Sequence, residues 1–140
     1  IAVSPAGAKP KPAFRPGLYV GKTSQGEAVK LKVVGCGKSQ CLEDPDEQTY
    51  FSVDLSCPSS GQTEEEIISL TGNRISRSGV VDVLGGSTPG ATENRSTGKI
   101  KVARNGTLTG RINVSETLET GTRCASGEVT LEAKIGGTTR

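Results

Sequence analysis

The sequence predicts an all-β fold, an antiparallel β-sandwich or flattened barrel of about seven to nine short strands. Three observations predict it. From Gly17 onward apolar and polar residues alternate with period two, and no stretch sustains a helical period. The chain holds 19 glycines in 140 residues, a density that would weaken any helix. Two cysteines also stand at the ends of distant strand-like segments, as a staple between strands would. Cys57 closes the run from Phe51 to Ser56, and Cys124 opens the segment that ends at Lys134.

Residues 1–16 precede this pattern. Pro5, Pro10, Pro12 and Pro16 interrupt a small-residue segment, and proline removes backbone donors and fixes φ. The segment therefore reads as an extended, Pro-rich N-terminal arm, and residues 17–140 as the β-domain. Ile1, Val3 and Phe14 give the arm apolar side chains to insert into a neighbour, and Lys9, Lys11 and Arg15 make it basic.

Within the domain, residues 17–24 read as a strand and Gln25-Gly26 as a turn. A strand over 28–34 follows, with Val29, Leu31 and Val33 on one face and Lys30 and Lys32 on the other. Residues 35–47 read as a loop. In 48–57, Phe51, Val53, Leu55 and Cys57 share a face, which turns Cys57 inward. Residues 64–70 form a further strand, and 74–84 another that breaks near Gly79. Residues 85–97 read as a long loop rich in Gly, Ser, Thr and Pro. Asn105-Gly106 is a strong hairpin signal between 99–103 and 107–115, because both central residues of a type I′ turn need positive φ. The final strand runs over 128–135. Strict alternation puts Cys124 on the face opposite Val129, Leu131 and Ala133, so an inward Cys124 requires a bulge at Ser126-Gly127.

Four cysteines allow three connectivities. The favoured one joins Cys36 to Cys41 around a small loop and Cys57 to Cys124 around a long one. An even cysteine count suits an oxidising compartment. The chain begins Ile1-Ala-Val without methionine, as expected of a secreted or cell-surface protein whose signal peptide has been removed. No run approaches the roughly 18 apolar residues of a membrane span.

Charge is unevenly distributed. Residues 42–73 contain no Lys or Arg but carry Glu43, Asp44, Asp46, Glu47, Asp54, Glu64, Glu65 and Glu66. All 17 basic residues lie elsewhere in the chain. Sign asymmetry of this kind marks a candidate interaction surface.

Catalytic and cofactor chemistry is poorly served. With no His, the usual base for a Ser or Cys nucleophile is missing. A glycosidase-type carboxylate pair is available among Glu64–Glu66, but few aromatics exist to form a sugar platform. The same shortage argues against nucleic acid, whose bases stack on aromatics. Gly35-Cys-Gly-Lys-Ser39 lacks the first glycine of a phosphate loop, since Lys32 stands there, and a proline-containing segment replaces the helix that should follow. Cys36 and Cys41 lack the paired spacing of a zinc ribbon. The run 43–47 offers oxygen ligands that suit calcium, without EF-hand spacing, and no metal or other cofactor is assigned. Asn94, Asn105 and Asn113 head N-glycosylation sequons.

The stretch Gly17-Leu-Tyr-Val-Gly-Lys-Thr-Ser-Gln-Gly26, then Leu70-Thr-Gly-Asn-Arg74, then Cys124-Ala-Ser-Gly-Glu-Val-Thr130 resembles a group of exported bacterial β-domains of actinobacterial type. Their pattern is GxYxGxTSQG, a mid-chain cysteine and a closing CxSGxVTW. Leu131 stands where that pattern has Trp, and the Cys36/Cys41 pair is an addition. The resemblance covers about residues 17 to 134, implies a secreted β-sandwich with a Cys57–Cys124 bridge, and lends no catalytic residues.

The expected function is a non-enzymatic structural protein of the cell surface that assembles with itself. The arm of one copy would add as a strand to the next, its bases meeting the acidic stretch 43–66. Deletion of residues 1–16 is then expected to abolish assembly and spare the fold. The alternative is a monomeric extracellular module that binds a glycan, an ion or a protein through loops 35–47 and 85–97.

Overall fold

The computed structural model describes residues 13–43, 50–58, 61–70, 73–84 and 91–136. These form ten strands: β1 (Gly17–Thr23), β2 (Ala28–Cys36), β3 (Ser39–Glu43), β4 (Tyr50–Cys57), β5 (Gln62–Ser69), β6 (Arg74–Ile75), β7 (Val80–Leu84), β8 (Ala91–Val102), β9 (Thr107–Leu118) and β10 (Arg123–Ile135). Among the described residues no helix is long and apolar enough to cross a membrane.

All pairings are antiparallel, in the order β5-β4-β2-β1-β10-β9-β8-β7, with β3 added to β2 and β6 to β3. The sheet curls because β1 is short. Thr23 at its end faces Leu131, and β10 reaches back from there to Arg123. β4 pairs with the start of β2 at Val29 and Lys30, passes the tip of the β1–β2 hairpin, and meets β10 at Ser56 opposite Ala125. On the far side a turn of the chain links the β3–β6 branch to β7, the end of the sheet beyond β8. The turn 76–79 carries it from β6, beside β3, to β7, beside β8. All ten strands contribute to a single core, and its fully buried side chains include Tyr19, Leu31, Phe51, Leu55, Ile100, Ile112 and Leu131. One sheet wrapped around one core is the flattened-barrel form of the expected fold.

The hairpin tip is closed by side chains. Thr23 Oγ1 accepts from the N–H groups of Gln25 and Glu27, both at 3.2 Å, and sets the turn. Ser24 joins β10, donating its N–H to the Thr130 carbonyl and accepting the Thr130 N–H on Oγ. Gln25 Nε2 donates to the Asp54 carbonyl and Gln25 Oε1 accepts the Asp54 N–H, both at 2.8 Å. The Thr-Ser-Gln-Gly segment thus fills the gap between β10 and β4 where the hairpin ends.

The bulge lies where the alternation requires it, between Ala125 and Gly127. Gly127 has φ of 65°, a conformation glycine adopts without a Cβ penalty. Ser126 Oγ accepts the Val114 N–H at 3.0 Å and so serves the ladder at the extra residue. Cys124 is thereby buried and bonded to Cys57, with Cα atoms 4.2 Å apart. Cys36 pairs with Cys41.

Several boundaries differ from the sequence reading. The loop at 35–47 is largely a hairpin: β2 continues to Cys36 and β3 returns from Ser39, turning at Gly37 and Lys38. The glycine-rich segment resembling a phosphate loop is the tip of that hairpin. The loop at 85–97 gives way to strand at Ala91, where β8 begins. The final strand starts at Arg123, upstream of the bulge.

One residue expected in the arm lies elsewhere. Phe14 belongs to this chain's own core, 4% exposed, with its ring against Gly79. Its backbone is held by Gln40 of β3, whose Oε1 accepts the Phe14 N–H at 2.9 Å and whose Nε2 donates to the Phe14 carbonyl at 2.7 Å. A Cβ at Gly79 would overlap the Val102 carbonyl oxygen, so glycine lets the chain pass there. The Tyr19 hydroxyl, its pKa raised chiefly by burial, donates to the Arg15 carbonyl. Phe14 is therefore unavailable to a neighbour, because the domain's own core requires it.

Candidate functional site

The turn that Thr23 sets delivers Glu27 to the outer surface beside β4. Asp54 of β4 stands opposite Glu65 of edge strand β5, and Gln25 pins the Asp54 backbone to the hairpin. Carboxylate oxygens of Glu27, Asp54 and Glu65 all lie within 4.8 Å of one another. The Glu27 pKa is raised, first by the negative charge of Asp54, then by partial desolvation, by Glu65 and by a hydrogen bond with Asp54. Three hard oxygens at this spacing repel one another and attract a cation or a basic side chain.

The sequence marked Glu65 and placed Asp54 in the acid-rich stretch, but it did not mark Glu27. Glu27 lies far upstream, and only the register of β1, β2 and β4 brings it in. Of the other acids, Glu64 and Glu66 stand opposite Leu55 and Val53 in the β4–β5 register, one residue to either side of Glu65. Glu43 ends β3 opposite Lys32. Asp44, Asp46 and Glu47, including the proposed calcium run, lie outside the described residues, as do Ile1, Val3, Lys9 and Lys11. Arg15 is exposed. Asn105 is exposed in its hairpin turn, its Oδ1 accepting from Thr107 Oγ1 at 2.7 Å, and Asn113 is exposed on β9. Asn94 occupies β8 opposite Glu116.

A second charged region lies on β8, β9 and β10. Lys99 stands directly opposite Arg111, with Lys101 two residues along, and these three line a shallow depression with Thr109, Thr130 and Glu132. Arg111 comes within 4.0 Å of Glu128, but the side chains are 76% and 61% exposed, so the pair contributes little stability.

One buried feature remains. Glu116 of β9 is 3% exposed, and among the described residues neither carboxylate oxygen has a hydrogen-bond partner. It faces Cys124 across the β9–β10 ladder, and Ser96 on β8, also buried with an unpartnered hydroxyl, lies one diagonal step away. No family model, curated protein or solved structure matches the chain.

Proposed function

We propose that this chain is a non-enzymatic, extracellular structural protein that assembles with itself, the N-terminal arm of one copy adding as a strand to the β5 edge of the next. The observation that carries the reading is β5 itself. It spans eight residues and, among the described residues, pairs only with β4, leaving a row of backbone donors and acceptors for another strand. Its acidic sequence makes that edge selective. Two β5 edges repel each other, whereas an arm carrying Lys9 and Lys11 is attracted.

With Phe14 committed to the core and prolines at 5, 10 and 12, the inserting segment is Ile1–Ser4. Contacts of this kind are head-to-tail and give filaments unless the rotation closes. The two disulfides support an oxidising, extracellular setting.

Negative-stain electron microscopy of the unreduced full chain tests the reading against a deletion of residues 1–12, which leaves Phe14 in place. Fibres from the full chain and single particles from the deletion are expected. Fibres from the deletion, or single particles from both, would overturn it.

A further inference from the structure

We propose that the basic depression formed by Lys99, Lys101 and Arg111 receives the Glu27, Asp54 and Glu65 carboxylates of a second copy of this chain. The inference rests on the self-assembly reading and adds a contact that the arm does not make.

Both patches lie on one transverse row of the outer surface. Lys99 opposes Arg111, and Arg111 opposes Thr130. Thr130 is bonded to Ser24, the adjacent Gln25 holds the Asp54 backbone, and Asp54 opposes Glu65. The row therefore begins with two cations, passes through uncharged residues and ends with two carboxylates. At about 4.8 Å per strand the facing charges, Arg111 and Asp54, are roughly three strand steps apart, beyond the ~8–10 Å screening length of physiological salt. Within one copy the two patches cannot neutralise each other.

Each patch carries an internal repulsion that a partner would relieve. Like charges directly opposite on neighbouring strands are destabilising, and Lys99 and Arg111 are such a pair. The three carboxylates crowd within 4.8 Å. Glu128 and Glu132 lie near the basic patch, but Lys22 stands opposite Glu132, and Lys134 adds a further positive charge on β10. A cavity of about 440 Å³ that is open and shallow suits the side chains of a strand edge rather than an enclosed small ligand. Three cations against three carboxylates is a complementary set.

Sedimentation velocity on four full-length proteins tests this, at about 50 mM and about 500 mM salt. They are the wild type, K99E/K101E/R111E, E27K/D54K/E65K, and the six substitutions combined. Circular dichroism checks each fold, and E27Q/D54N/E65Q replaces the lysine triple where that does not fold. At low salt each triple variant should assemble roughly 30-fold more weakly, three exposed pairs each worth severalfold having been reversed. The combined variant should recover to within a few-fold of wild type, and high salt should weaken wild-type assembly. Triple variants that assemble like the wild type would overturn this contact and leave the arm reading standing, as would a combined variant that fails to recover. A wild type that does not assemble at either salt overturns both. Wild-type binding to heparin through Lys99, Lys101 and Arg111, without self-association, would assign the depression to a polyanion instead.

Discussion

Gln25 and Gln40 each turn a side-chain amide toward a backbone segment whose strand neighbour has run out, and each satisfies both the N–H and the carbonyl of one residue. Their surroundings differ. The Gln25 bonds to Asp54 are exposed, so water can replace them, whereas the Gln40 bonds to Phe14 are part-buried. Gln40→Ala should therefore cost about 2 kcal/mol and Gln25→Ala under about 1, read from urea unfolding midpoints. Equal costs would contradict the core position assigned to Phe14. Glu116 presents the opposite case, a buried carboxyl group with no hydrogen-bond partner among the described residues. Its replacement by Leu should stabilise the isolated chain by about 1–3 kcal/mol, since burying a carboxyl group without a hydrogen-bond partner is expensive. A marked loss instead would mean that something pairs with it. Glu27 adds a pH dependence. Its folded pKa is raised above the ordinary 4.5, so the folded state holds the proton more readily, and stability is lost as pH rises through that window. Wild type and Glu27→Gln should match near pH 4 and diverge toward about pH 7, with the variant the more stable.

Elements with one buried face were readable because a one-residue slip would exchange core for solvent. The runs at Val29–Val33 and Phe51–Cys57 are of this kind, and the same reasoning located the bulge at Ser126-Gly127. β3 was hidden because its hairpin turns on Gly37-Lys38 between two cysteines, without enough alternation to show a period. The start of β8 was hidden because its inward residue is Ser96, polar where the pattern expects an aliphatic. The carboxylate trio was half legible: Asp54 and Glu65 stood in the acid-rich stretch, but Glu27 arrives by strand register, which local sequence does not specify. The two bridges should differ in worth. The Cys57–Cys124 bond spans 67 residues and the Cys36–Cys41 bond 5. By chain entropy, C57S/C124S should lose about 4 kcal/mol and C36S/C41S about 2, compared by denaturant unfolding. The reverse order would show that the small hairpin, rather than the β4–β10 closure, limits stability.

At the scale of the molecule, the curled sheet is closed at one side by β4 on β10 and at the other by the turn from β6 to β7. Among the described residues β5, β6 and β7 each have one strand neighbour, and β5 is the longest and the most acidic of the three. A small core braced by two disulfides and rimmed by side-chain plugs suits a durable building block. The account then depends on whether β5 gains a neighbour when copies meet. Hydrogen exchange followed by mass spectrometry answers this directly, comparing assembled full-length protein with the deletion of residues 1–12. An unpaired edge leaves alternate amides open to solvent, and strand addition protects them. The account predicts slower exchange over residues 62–69 in the assembled protein, with the interior strand β1 unchanged. Equal exchange of β5 in the two proteins would contradict it.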